Sequence, residues 1–179
     1  CSSYGPSYVG VVHNPQYYEP HDKGSKADIE ACRFVEYLQN EWIMNMIMKG
    51  DFDLDLNTMV EKGEQHPNLV KGCDFIGVNY YTRNRIRATE TKTTGLPGYE
   101  TVPCTENCTD MGWEIYPQGI RAVANWIYNR YRRPIMITEN GIADAKNGKR
   151  SSYLLSHLEE IHKAITEDNI PIKGYFHWS

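Results

Sequence analysis

Glu139, Tyr81, Asn79, Trp113 and Trp178 together offer a carboxylate, a phenol, an amide and two flat indoles, the types that can attack or hold a polar ring-shaped ligand. Glu139 ends the apolar run Pro134-Ile135-Met136-Ile137-Thr138 and is followed by Asn140-Gly141, a pair that turns the chain sharply. A carboxylate at the end of such a run points to where a substrate can reach it. It could serve as an oxygen nucleophile or as a general acid or base. Equally, a Glu at a strand end is often just hydrated or salt-bridged. Tyr81 offers a phenolic O–H that can hold a carboxylate in one orientation. Asn79, two residues earlier, offers an amide that could reach the carboxylate or a sugar hydroxyl. Trp113 and Trp178 offer flat faces for the C–H side of a sugar ring. Taken singly, a Tyr or a Trp is as much at home in an ordinary core.

The elements that position these residues alternate between β-rich runs and amphipathic helices. Tyr8 to Val12 is a short apolar run, followed by a polar loop from His13 to Gly24. Ser25 to Lys49 reads as one long helix, capped by Ser25 and stopped by Gly50. Its apolar residues, among them Ile29, Cys32, Val35, Leu38 and Trp42, recur at helical spacing. Leu56 to Glu64 is a further helical candidate. Phe75 to Tyr81 reads as a strand, with Asn79 and Tyr81 on one face. Thr82 to Trp113, rich in Thr, Gly, Pro and charge, reads as a long functional loop. Pro117 to Arg132 is helical, 134–138 is a strand, and Ser151 to Glu167 is a helix with Leu154, Leu155, Leu158, Ile161 and Ile165 as its apolar positions. Ile170 to Trp178 is the last strand. Strand and helix in alternation predict an α/β fold with a parallel sheet and right-handed crossovers. An open doubly wound sheet and part of an eight-stranded barrel both fit that order. No glycine-rich phosphate loop follows any strand, whereas Asn79, Tyr81, Glu139 and Trp178 all cluster at carboxyl ends of strands, where barrels place their chemistry.

These stretches resemble glycoside hydrolase family 1, its archaeal β-glycosidases in particular, and the likeness covers nearly the whole chain. Ile137-Thr138-Glu139-Asn140-Gly141, continuing Ile142-Ala143-Asp144, matches the motif of the family's nucleophile. Ile76 to Thr82 matches the strand whose tyrosine bonds that nucleophile, which falls on Tyr81. Met111-Gly112-Trp113-Glu114-Ile115-Tyr116-Pro117 matches the segment whose tryptophan lines the leaving-group side. Gly174-Tyr175-Phe176-His177-Trp178-Ser179 matches the last strand, whose tryptophan underlies the sugar. The resemblance implies a (β/α)8 TIM barrel, with these strands as the fifth to the eighth. It implies a retaining β-glucosidase or β-galactosidase that needs no cofactor or metal, acts on β-linked saccharides or aryl and alkyl β-glycosides, and forms a homo-oligomer when full length. The family's acid/base Glu sits between an Asn and a Pro, and here Asn40-Glu41 is followed by Trp42 inside a helix. The acid/base residue and the amino-terminal half of the barrel are therefore expected to lie outside this sequence, leaving the 179-residue chain inactive by itself. A non-catalytic half-barrel, binding carbohydrate or assembling with another half, is the alternative.

Composition narrows the field further. With 40% apolar and 23% charged residues, the chain is expected to form a single globular domain, 1–179. A net charge of -4 gives no basic surplus for nucleic acid or acidic lipid. No apolar run approaches the roughly 18 residues of a membrane span, and no signal segment opens the sequence, so a cytoplasmic location is expected. The five cysteines, Cys1, Cys32, Cys73, Cys104 and Cys108, do not form a disulfide framework. Cys104 and Cys108 lie close enough to pair or to share a metal, although no His or Cys stands at zinc-like spacing. Asn107-Cys108-Thr109 is read as a chance match to the glycosylation sequon.

Overall fold

A computed structural model describes residues 7–70, 72–93 and 96–178. Cys1 and Ser179 lie outside them. The strands are β1 (Gly10–His13), β2 (Tyr17–Pro20), β3 (Phe75–Asn79), β4 (Arg83–Thr93), β5 (Leu96–Val102), β6 (Ile135–Gly141) and β7 (Ile172–Trp178). The α-helices are α1 (Lys26–Glu36), α2 (Trp42–Lys49), α3 (Gln118–Tyr131) and α4 (Arg150–Thr166). β1, β3, β6 and β7 form one parallel sheet in that order. Neighbouring strands are therefore also successive ones, with helices in every crossover, which is the wiring of a barrel wall. A second sheet, β2-β4-β5, stands beyond the first.

Ile76, Val78, Ile135 and Ile137 are fully buried on the helix side of the main sheet, against Ile120, Val123 and Ile127 of α3 and Ile161 and Ala164 of α4. Each such isoleucine contributes roughly 1.5–3 kcal/mol by leaving water. The other face stays open: Val12, Phe176 and Trp178 are 54%, 58% and 60% exposed.

Several local expectations are corrected. The 25–49 segment is not one helix. Ser25 does cap α1, its Oγ accepting from the Asp28 amide at 3.2 Å. Between α1 and α2, however, Tyr37–Glu41 widens into a π turn. That extra residue per turn brings Tyr37 and Asn40 inward together, Asn40 bonding both backbone groups of Gln16 and Tyr37 reaching Asp53. The 56–64 stretch forms only a 3-10 turn, Lys62–Glu64. Its backbone amides are captured by side chains instead, Asn57 and Thr58 by Asp53 and Met59 by Asn57, and Leu56 and Thr58 take positive φ. The 82–113 loop contains the β4–β5 hairpin, with Ile86 fully buried between outward Arg85 and Arg87. β2 lies inside the stretch read as a polar loop and pairs with β4. Finally, α4 buries Tyr153, His157, Ile161 and Ala164, whereas Leu155, Leu158 and Ile165 face outward.

His157 has a consequence for acid stability. It is fully buried, its ring stacks on Tyr153 at 3.9 Å, and Nδ1 lies 2.8 Å from the Tyr153 carbonyl. Nε2 is buried without a partner. Burial pushes this imidazole down to about 4. Since the unfolded chain binds the proton near pH 6.5, stability is intact above that value and falls as pH drops toward 4. The loss contributed by this one group reaches about 3 kcal/mol. Denaturant titrations of the intact polypeptide at pH 7 and pH 4.5 should show His157→Phe narrowing the difference; an unchanged difference would show that His157 does not titrate this way.

Candidate active site

Strict alternation along β6 would put Glu139 on the side of Ile135 and Ile137, buried against the helices. The register prevents it. β3 and β6 pair Val78 with Ile137 but Asn79 with Glu139, and the β6–β7 ladder also shifts between Ile137 and Asn140. One extra residue at this bulge reverses the sequence of faces. Asn140, fully buried, takes the helix side. Glu139 turns to the mouth at the carboxyl end of the sheet.

There the Tyr81 hydroxyl donates to Glu139 Oε2 at 2.5 Å. Tyr81 stands just past the end of β3 and is 8% exposed. Its ring lies between the two tryptophans, 5.5 Å from Trp113 and 6.0 Å from Trp178. Burial, and then the bond to Glu139, push the phenol well above its ordinary range, so it remains a proton donor in alkaline solution. These rings, with Met111, Ile142 and Ala143, line an apolar cavity of about 260 Å³. An aromatic cleft can pack a sugar ring, and the Tyr81 that lines it also bonds a carboxylate of the kind that can attack one.

Of the five residues singled out in the sequence, four converge here: Glu139, Tyr81, Trp113 and Trp178. Asn79 is adjacent but does not bond Glu139. Its Oδ1 accepts from Thr138 Oγ1 at 2.6 Å, so of the two partners expected for its amide the carboxylate is not the one it meets, and a sugar hydroxyl is the other. Glu41 belongs to the helix layer, where it pairs with Arg130.

Trp113 is fixed by its surroundings. Thr109 Oγ1 accepts from its amide at 3.2 Å, and the Thr109 amide donates to its carbonyl at 2.8 Å. Next to it, Glu114 takes hydrogen bonds from Arg83 and Arg85. Burial opposes ionisation of Glu114, but the two guanidinium groups prevail and hold its carboxyl below the usual range. Cys104 and Cys108 are joined as a disulfide in the same loop, so pairing, not metal binding, is what their spacing signified. Met111, Ile142 and Ala143 were not singled out as contacts in the sequence, although all three lie within the quoted motifs. Asp53, Asp55 and Glu64, whose carboxylate oxygens lie within 4.8 Å of one another, were not singled out either. Each already accepts hydrogen bonds from backbone amides of its own segment.

Gly141 explains why no side chain follows the Asn. A Cβ there would sit 1.4 Å from the Trp178 carbonyl oxygen. Gly141→Ala must push β7 and its tryptophan outward. We expect a loss of about 1–3 kcal/mol in stability, as for an overpacked core, together with weaker substrate binding. Wild-type KM and melting temperature in this variant would contradict the close contact.

Comparison with known proteins places this geometry. The family model for glycosyl hydrolase family 1 matches residues 2–179. A β-galactosidase from Sulfolobus acidocaldarius is 34% identical, over 96% of this chain and 34% of its own length. Beta-glucosidase 31 from Arabidopsis thaliana is 33% identical, over 97% of this chain and 38% of its own. The solved β-glycosidase from Pyrococcus horikoshii superposes with a TM-score of 0.79 at 32% identity, covering 96% of this chain and 38% of that one. A family 1 β-glucosidase from Thermotoga maritima gives 0.81 at 28% identity, covering 96% and 41%. The chain thus spans a little over a third of the length of the curated relatives it matches, and its parallel sheet is part of the wall of a TIM barrel. With its sheet order, its Glu139–Tyr81 pair and a family match across nearly all of its residues, the chain belongs to glycosyl hydrolase family 1.

Proposed function

We propose that these residues form the nucleophile-bearing part of a retaining β-glycosidase acting on terminal β-linked glucosides or galactosides. The observation that carries the reading is the 2.5 Å hydrogen bond to Glu139 from Tyr81, which also lines an aromatic cleft. A carboxylate whose Oε2 is held by one donor has the fixed aim that in-line attack needs. In the first step a Glu139 oxygen bonds to the anomeric carbon while the glycosidic C–O bond breaks and a carboxylic acid protonates the leaving oxygen. In the second, the resulting carboxylate takes a proton from water, water attacks the same carbon and Glu139 departs. Two inversions leave the β configuration. The second carboxyl group must stand about 5–5.5 Å from Glu139. We place it on the part of the barrel that the longer relatives have beyond the matched region. Trp178 would pack under the sugar and Trp113 beside the leaving group.

The same reading makes the open sheet face, with Val12 and Phe176, the inner wall of the barrel. The 179-residue chain by itself should therefore self-associate and turn over no glycoside. Size-exclusion chromatography and a chromogenic β-glucoside assay test this; a monomeric, fully active chain would refute it. The reaction class is tested by following the sugar released from an aryl β-glycoside by proton NMR in the intact enzyme. The β anomer should appear first. First appearance of the α anomer would sink the retaining mechanism.

A further inference from the structure

We propose that Asn140 is a positioning residue that sets the Tyr81 hydroxyl on the Glu139 carboxylate; this rests on the reading of Glu139 as nucleophile. The bulge that turns Glu139 into the cleft also interrupts the β3–β6 ladder just where the two strands must stay aligned. The Asn140 side chain fills that gap. It is completely buried, and both amide hydrogens and the oxygen are engaged. Nδ2 donates to the Tyr80 carbonyl at 2.8 Å and to the Tyr153 hydroxyl at 2.9 Å, and Oδ1 accepts from the Tyr175 hydroxyl at 2.9 Å.

The bond to Tyr80 is the consequential one. The Tyr80 amide donates to the Glu139 carbonyl at 3.0 Å, and its carbonyl is held by Asn140. Adjacent residues of β6 thus grip both polar groups of Tyr80. That fixes the peptide plane leading into Tyr81, hence the direction of its Cα–Cβ bond. From there the phenol reaches back to Glu139 Oε2. Glu139, Tyr80 and Tyr81 form a closed loop of contacts, with Asn140 bracing one side. Asn140 is braced in turn by Tyr175 from β7 and by Tyr153 from α4, the latter stacked on His157. A buried amide with both hydrogens and its oxygen bonded has one low-energy orientation. An error of about an ångström in the phenol would relax the aim of the nucleophile.

The test is a double-mutant cycle in the intact enzyme, with kcat and KM for an aryl β-glycoside expressed per site trapped by a 2-fluoro glycoside. Asn140→Ala should lower kcat about 10- to 100-fold, with KM within about twofold. Tyr175→Phe, which removes one brace and keeps the ring, should lower kcat about fivefold, the order expected for one hydrogen bond. In a Tyr81→Phe background, Asn140→Ala should cost less than about threefold more, because the group it positions is gone. The same loss in both backgrounds, or a normal kcat per trapped site with only the yield of folded protein reduced, overturns the proposal. If Asn140→Ala does not fold, Tyr175→Phe run in both backgrounds decides by the same criterion. Unsubstituted enzyme that neither hydrolyses the glycoside nor takes the label overturns the functional reading itself, and this inference with it.

Discussion

Replacing Glu139 with Ala in the intact enzyme is expected to lower kcat for an aryl β-glycoside by about 10⁵-fold, the scale seen when a covalent nucleophile is removed. Folding should survive. Glu139 is only half-buried at the carboxyl end of β6, and the residues around it are held by contacts that do not use its carboxylate: Trp113 by Thr109 and Asn140 by three hydrogen bonds. The space vacated by the carboxylate also gives the variant a distinctive response. A small anion such as azide, occupying that space, can attack the anomeric carbon in its place. Turnover should then return by orders of magnitude, and the product should be an α-glycosyl azide, since only one inversion has occurred. A variant that keeps its activity without azide, or yields a β-glycosyl azide, would remove Glu139 from the reaction.

Tyr81→Phe should cost about 10²-fold in kcat, the lower end of what loss of one aimed donor in an active site costs. The ring remains, so its packing with Trp113 and Trp178 and the shape of the cleft are kept. The loss should therefore appear in kcat more than in KM. The pH dependence is also fixed in sign. Burial, together with the neighbouring carboxylate, keeps the phenol protonated well above its ordinary range. Ionisation of Tyr81 therefore cannot produce an alkaline fall in activity between pH 7 and 10, and any such limb should persist unchanged in Tyr81→Phe. Disappearance of the alkaline limb in that variant would contradict the assignment.

The sequence disclosed the order of elements and most of the cleft because both are written in short runs. Four apolar segments sit between helical patterns, three of them ending in Asn79 and Tyr81, in Glu139 or in Trp178, and that arrangement alone favoured a barrel. What it did not disclose depends on contacts distant in the chain. Alternation through Ile135 and Ile137 says nothing of the bulge that turns Glu139 about, because the bulge is set by pairing with β3 and β7. The π turn is stabilised by Gln16 and Asp53, neither within the helix. The β4–β5 hairpin was concealed by charge: its inward Ile86 and Ala88 alternate with arginines, and only the packing of α1 against it makes the pattern legible. The outward Leu155, Leu158 and Ile165 misled the reading of α4, since the helix has a second apolar face and buries the one centred on Tyr153 and His157. Asn79 shows the same limit in the site. Its place beside Glu139 was readable, but its hydrogen bond to Thr138 was not.

The central claim is that Glu139 forms the bond to the sugar. Incubation of the intact enzyme with an activated 2-deoxy-2-fluoro β-glycoside, which slows release of the sugar more than its capture, should leave one covalent adduct per active site. Proteolysis and tandem mass spectrometry should then find it on Glu139, within Ile137-Thr138-Glu139-Asn140-Gly141. Label on any other residue, or inactivation with no covalent label, would contradict the account.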